Sequence, residues 1–222
     1  MSKPDRIVII GAGGHGREIA DILRHQAQVK GGIALEGFVD GKRALHGKEL
    51  DGLPVLGDWD WFDTADRDGL KIICAVGNPQ TCQKLVNRAI VSRLEFTSAI
   101  SPLAHISPRA QVGKGVVIFP QVIINTGARI GNFITLNVGA SVSHDSVVGD
   151  FTNINPGVRL AGNVTVGEGC YIGMGANVIQ GCSIGAWSTV GASAAVIRNI
   201  PPRSTAVGVP AKVIKTNEEL SE

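Results

Sequence analysis

Written in sixes from residue 100, the chain reads ISPLAH ISPRAQ VGKGVV IFPQVI INTGAR IGNFIT LNVGAS VSHDSV VGDFTN INPGVR LAGNVT VGEGCY IGMGAN VIQGCS IGAWST VGASAA V, ending at Val196. Every block opens with Ile, Leu or Val, over seventeen consecutive positions from Ile100 to Val196. A period of six fits neither a helix face at 3.6 nor strand alternation at 2. Hexapeptide repeats read as a parallel β-helix. The residue after the opening one is often glycine (Gly113, Gly131, Gly149, Gly167, Gly173, Gly185, Gly191), which suits a place where a side chain would crowd the backbone. Four places after the opening residue the chain is mostly small, as at Ala128, Ala140, Ser146, Thr152, Cys170, Ala176, Cys182, Ser188 and Ala194. The aliphatic anchors and the small residues are expected to point inward and stack coil upon coil.

Working outward, 222 residues allow one large or two small domains. A formal charge of +2 with 18% charged residues makes no electrostatic case for nucleic acid or a membrane surface. The opening Met1 to Arg6 is polar, the apolar run Ile7–Ile10 is one strand long, and no stretch reaches membrane-spanning length, so a cytoplasmic protein is expected. Cys170 and Cys182 fall on the small inward position, Cys74 lies in the apolar run 72–76, and Cys82 lies in an expected helix. No CxxC occurs, and neither a disulfide nor a cysteine-based metal site is expected.

The amino-terminal third follows another pattern. Arg6–Ile10 reads as a buried strand, then Gly11-Ala12-Gly13-Gly14-His15-Gly16 as a turn, then a helix from Arg17 to about Gln28. Gly11, Gly13 and Gly16 match GxGxxG between strand and helix, where the backbone can approach a phosphate at the helix N-terminus. A second strand, Ile33–Val39, ends at Asp40, near the place of a ribose-binding acid in a dinucleotide fold. Leu53–Leu56, a helical turn within 59–66, a strand 71–76, a helix 79–91 and a strand 94–97 complete the region. At about 95 residues it is half a dinucleotide fold, and no substrate domain for hydride chemistry follows. A mononucleotide or nucleotide sugar suits it better than NAD. Asp40 also fits a plain turn cap before Gly41, and Asn78 a plain helix N-cap before Pro79.

The repeat, closed by Gly208-Val209-Pro210-Ala211-Lys212, resembles the left-handed β-helix acyltransferases. Gly11–Gly16 with His15, Gly37-Phe38-Val39-Asp40, 51–57 (DGLPVLG) and Val76-Gly77-Asn78-Pro79 extend the resemblance over the whole chain, to the nucleotide-sugar acetyltransferases. That group includes bacillosamine and perosamine N-acetyltransferases and sialic acid O-acetyltransferases. The resemblance implies an α/β half-Rossmann domain (1–97) followed by an all-β left-handed parallel β-helix (98–215) and a polar tail (216–222). Three hexapeptides then make one triangular coil, so residues eighteen apart stack, giving about five coils over ~25 Å at a strand spacing of ~4.8 Å. The first domain is implied to hold the nucleotide sugar, with Gly13, Gly14, His15, Asp40 and Asn78 at the ligand. The prism is implied to bind acetyl-CoA and to pack as a homotrimer with active sites between subunits.

On the prism, His144 stands two places after an anchor and is followed by Asp145, so it is expected to project from the surface. An imidazole with an ordinary pKa near 6.5 suits proton removal at neutral pH. The resemblance makes His144 the catalytic base and Asp145 its orienting acid. Gly162, eighteen residues on, is implied to offer its N–H to the oxyanion, and Asn137 to touch substrate, although Asn137 also fits a turn. Asn153 stands where some relatives carry a second histidine at the cofactor, and the pantetheine arm is implied to pass Gly162, Met174 and Ala192. A catalytic zinc needs three protein ligands, and His105 and His144, two coils apart, are the only prism histidines, so no metal is expected. No Cys or Ser is placed as a nucleophile beside His144. The expected reaction is direct acetyl transfer to the 4-amino group of a UDP- or GDP-linked 4-amino-4,6-dideoxy sugar. The alternatives are O-acetylation of sialic acid or another sugar hydroxyl, and a non-catalytic trimeric sugar-nucleotide-binding module.

Overall fold

The computed structural model describes residues 4–216, which fall into two compact units: 4–77 with 81–102, and 78–80 with 103–216. The division lies at 102/103, against 97/98 from the sequence, and residues 78–80 group with the second unit. Thr216 ends the last strand, and 217–222 of the expected tail lie outside the described residues.

The first unit is built on β1 (Asp5–Ile10), α1 (Gly14–Lys30), β2 (Ile33–Val39), β3 (Glu49–Leu50), β4 (Leu53–Gly57), α2 (Trp61–Thr64), β5 (Leu70–Cys74), α3 (Pro79–Val91) and β6 (Glu95–Phe96). The sheet order is β3-β4-β2-β1-β5-β6, parallel except for β3 against β4. Ile7, Val8, Ile9 and Ile10 are all buried, the unbroken apolar run that a parallel strand covered on both faces requires. One face packs Val8, Ile10 and Ile72 against Trp59, Phe62 and Ala89. α1 starts three residues earlier and ends two later than the sequence suggested, because Gly14 to Gly16 already take helical form. From β1 the chain goes first to β2 and β4 on one side and then to β5 on the other. The switch point therefore lies where β1 and β5 end, the place where open α/β sheets bind ligands.

Apart from the closing antiparallel pair Ser204–Val207 and Lys212–Thr216, the strands of the second unit are two residues long and pair with the strand eighteen residues on, as Val117–Ile118 does with Thr135–Leu136 and Ser141–Val142 with Arg159–Leu160. Three parallel sheets result. Going up the stack, the first holds 117–118, 135–136, 153–154, 171–172 and 189–190, the second begins at His105–Ile106, and the third at Gln111–Val112. From Ile118 to Val196 every anchor is buried, while Ile106 and Val112 in the first turn of the stack are half-buried. The Ser and Thr at the small inward position are buried and bonded: Ser146 Oγ donates to the Ala161 carbonyl (2.8 Å), Thr152 Oγ1 to Gly167 (2.8 Å) and Ser188 Oγ to Pro201 (2.8 Å).

Two glycine roles separate here. The glycines after the anchors are excluded volume: a Cβ on Gly149 would stand 2.6 Å from the Glu168 nitrogen, and one on Gly173 2.6 Å from that of Ala192. The left-handed backbone falls two places later. The third residue after each anchor from Val112 to Val190 has positive φ, whether glycine, as at Gly127, or Gln121, Phe133, Asp145, Phe151, Asn163, Trp187 and Ser193, with φ of 55° to 61°. These residues turn the corners of the prism, at the usual cost of αL for a side-chain-bearing residue.

Candidate active site

The corner between the second and third sheets carries Thr126-Gly127, His144-Asp145 and Gly162-Asn163 at successive heights. Their register is fixed by the Asp145 N–H donating to the Thr126 carbonyl (3.1 Å) and the Asn163 N–H to the His144 carbonyl (3.0 Å). Ser146 fastens the upper step from inside, since its hydroxyl also accepts the Val164 N–H at 3.0 Å. His144 and Asp145 therefore sit on rigid backbone, with their side chains outside it, 50% and 60% exposed.

Asp145 has φ +59°, a conformation Asp tolerates, and it turns the carboxylate back toward its neighbour. His144 Nδ1 lies 3.0 Å from Asp145 Oδ2. A carboxylate only accepts, so this bond puts the ring proton on Nδ1 and leaves the Nε2 lone pair open. The ring leans up the stack over Gly162, where a Cβ would stand 2.5 Å from both Cε1 and Nε2. Only glycine fits beneath that face. The backbone N–H groups of Thr126, His144 and Gly162 donate to no acceptor among the described residues. Geometry thus unites an imidazole with an open Nε2, a carboxylate at its Nδ1 and an open N–H. Both cysteines of the prism, Cys170 and Cys182, are buried inside the stack, and burial pushes the Cys170 thiol up to about 11.

The first unit holds a cavity of about 330 Å³ where β1, β2 and β5 end, lined by Gly11, Asp40, Asp58, Trp59, Asp60 and Arg88 among others. The Gly11 turn has φ +111°, and a Cβ on Gly16 would collide with the Gly11 carbonyl, so both glycines serve the fold. Gly13 and Gly14 differ, since a Cβ on either would meet nothing within 4 Å. With no side-chain cap and no acid in its first turn, the N-terminus of α1 is left electropositive and open. Asp40 does structural work: Oδ2 accepts the Ala12 N–H and Oδ1 the Lys42 N–H, both at 2.8 Å, the turn-cap arrangement. His15 is mostly buried, with Nδ1 3.9 Å from Glu18 Oε2, and burial lowers its pKa below the usual imidazole value against the pull of Glu18.

The family described as PglD N-terminal domain matches residues 6–89, and that described as bacterial transferase hexapeptide (six repeats) matches 145–180. PerB from Caulobacter crescentus, solved in complex with CoA and GDP-perosamine, is 36% identical, with a TM-score of 0.86 over 94% of this chain and 97% of that one. The chain belongs to the hexapeptide-repeat nucleotide-sugar acetyltransferases. The acetyltransferase also superposes on the acetyltransferase domain of PglB from Neisseria gonorrhoeae FA1090 (29% identity, TM-score 0.86, 95% and 100% covered). WeeI from Acinetobacter baumannii AYE gives 28% identity and a TM-score of 0.86, with 94% and 99% covered. Among curated sequences it is 29% identical over 109 residues to Uncharacterized protein L142 of Acanthamoeba polyphaga mimivirus, and spans 20% of that protein's length.

Membership makes the prism a left-handed β-helix. Within one chain of the acetyltransferase, not every expected residue meets His144. Met174 and Ala192 stack one coil apart on the corner between the first and second sheets, the far edge of the second sheet from His144. Asn137 lies on that same corner, and its Oδ1 accepts the Val138 N–H at 2.7 Å, which is the turn arrangement. Asn153 is buried on the first sheet. Asn78 groups with the prism unit. The sequence reading missed Gly127, beneath Asp145, and Arg88, whose guanidinium carbon lies 4.4 Å from the Trp59 ring centroid. The signal for Gly127 was its place eighteen residues before Asp145, a second glycine beside the dyad besides Gly162. The Trp59–Arg88 contact, across 29 residues, left no sequence signal. No helix among the described residues is long and apolar enough to cross a membrane.

Proposed function

We propose that the protein transfers the acetyl group of acetyl-CoA to the 4-amino group of a UDP- or GDP-linked 4-amino-4,6-dideoxy sugar. The observation that carries this reading is the His144–Asp145 pair standing over Gly162, with Nδ1 engaged and Nε2 open. The amine attacks the thioester carbonyl, forming the C–N bond, while His144 Nε2 takes the proton that nitrogen loses. The Gly162 N–H steadies the tetrahedral oxyanion. On collapse the C–S bond breaks, and the imidazolium returns its proton to the departing CoA thiolate. Asp145 keeps the ring in one tautomer and offsets the charge it carries midway.

The first unit grips the nucleotide, its phosphates at Gly13 and Gly14 where α1 begins, with His15 nearby and Asp40 holding the glycine turn in shape. The nucleoside fits the cavity walled by Trp59 and Arg88, whose volume suits a small ligand. We place each active site between subunits of a homotrimer. Large apolar side chains left exposed on the prism, Ile123, Val138, Met174, Ile179 and Ile197, border the second sheet. Packing that sheet on a neighbour brings the Met174–Ala192 edge of one copy toward the His144 edge of the next, around the pantetheine arm. Asn153, buried on the first sheet, then bears on the cofactor only through the residues that cover it, and Asn137 lies on the same edge as Met174.

The test is release of free thiol from acetyl-CoA against UDP- and GDP-linked 4-amino and 4-hydroxy sugars and sialic acid. Turnover with one amino sugar supports the reading and names the nucleotide. Turnover with hydroxyl acceptors alone moves the chain to O-acetylation, and silence throughout leaves a binding module.

A further inference from the structure

We infer that Gly127 is a positioning residue of the reaction: by lacking a side chain, it lets the Asp145 carboxylate lie where it holds the His144 ring. The inference rests on the proposed role of His144. At the corners of this prism the third residue after the anchor folds its side chain back over the equivalent residue one coil earlier. A Cβ on Gly115 would collide with the Phe133 ring, one on Gly169 with the Trp187 ring, and one on Gly127 with Asp145 Oδ1. Asp145 obeys the same rule, so its carboxylate rests on the bare backbone of Gly127 with Oδ1, while Oδ2 faces His144 Nδ1 at 3.0 Å. The dyad is bracketed by two absent side chains, Gly127 one coil before it and Gly162 one coil after.

The coil itself does not demand glycine at 127. Gly127 has φ +70°, but Gln121, Asn163 and Ser193 hold the same corner position with φ of 55° to 61°. Apart from Asp145 Oδ1 and Cγ, what a Cβ there would meet is the Asp145 nitrogen at 3.6 Å, an ordinary contact. The obstructed atom is the free end of a short side chain, so a methyl group displaces the carboxylate and leaves the stack standing. What moves is the acceptor that fixes the imidazole tautomer. The glycine is therefore set by the chemistry of the site.

Gly139 supplies a control of matched backbone strain: its φ is +64° and a Cβ there would meet nothing within 4 Å. Gly127→Ala and Gly139→Ala are expected to lower Tm by similar small amounts. Only Gly127→Ala should lower kcat, by about tenfold, with KM for acetyl-CoA and for the sugar nucleotide within about twofold, as for a misplaced catalytic group. Adding Gly127→Ala to Asp145→Ala should cost nothing more, since the carboxylate it displaces is already gone. Independently of turnover, ¹⁵N NMR of the His144 ring should show the proton leaving Nδ1 in Gly127→Ala as in Asp145→Ala, and staying in Gly139→Ala. Equal kcat in the two glycine variants, additive losses in the double variant, or an unchanged His144 tautomer would each overturn the inference. Full activity in His144→Ala would instead remove the base assignment on which it stands, so the two failures are distinguishable.

Discussion

Two neighbouring corners of one prism share a backbone and do different things with it. At the corner between the third and first sheets, side chains lean back down the stack and satisfy the coil below. Asp150 Oδ1 accepts the Asn132 N–H at 2.8 Å, Asn132 Nδ2 donates to Asp150 Oδ2 at 3.1 Å, and Asn132 Oδ1 accepts the Lys114 N–H at 3.1 Å. Phe133 and Phe151 stack beside this ladder at 5.4 Å. At the corner bearing His144 the equivalent side chain leans up instead, over a glycine, and the N–H groups it leaves behind stay open. The polar groups of the first corner are spent on the fold, and those of the second are left open, as the proposed site requires. Backbone repetition makes the scaffold; function depends on which corner leaves its polar groups unspent.

The comparison breaks most visibly at His144. His144→Ala is expected to reduce kcat by about 10²- to 10⁴-fold, the range for a lost general base, with the circular-dichroism spectrum and melting temperature unchanged. Gly162→Ala comes next, because its methyl group would stand 2.5 Å from Cε1 and Nε2 and force the ring aside. A displacement of that size should cost about 10²-fold in kcat, read in the same assay, with little loss of stability. Asp150→Ala tests the other corner and should give the opposite pattern. Denaturant unfolding should show a loss of about 1–3 kcal/mol, for a charge-assisted bond removed and an Asn132 N–H left without its partner, while kcat is retained. An activity loss in Asp150→Ala matching that of Gly162→Ala would erase the distinction between the corners.

The smallest effect concerns the first unit. His15 is held neutral by burial, so its folded pKa lies below its unfolded one. The unfolded chain then binds the extra proton first, and stability is lost as pH falls through about 6.5. His15→Gln should flatten the acid side of a melting-temperature profile between about pH 7 and pH 5, where the parent protein declines.

The prism was legible in the sequence because each coil repeats one instruction: an aliphatic anchor, a small inward residue, and a glycine where the next coil approaches. The spacing of eighteen then places Gly162 above His144. Two things were hidden. Positive φ falls on the third residue after the anchor, where Phe133, Phe151 and Trp187 sit as well as glycines, so composition does not mark it. The direction in which a corner side chain leans depends on what its neighbours lack, which is why Gly127 escaped a reading that looked for groups present. In the first unit the glycine turn was plain. Asp40 could be read as ligand-binding acid or turn cap, and its two 2.8 Å bonds to Ala12 and Lys42 show it acting as a cap. β3, two residues long, carries too little periodicity to be seen.

The most direct test of the account is a crystal structure of the protein with CoA and the amino-sugar nucleotide that supports turnover. The account predicts the sugar nitrogen within about 3 Å of His144 Nε2, on the side facing Gly162, with the Asp145 contact to Nδ1 retained. A sugar amine seated at any other corner of the prism, out of reach of His144, would contradict it.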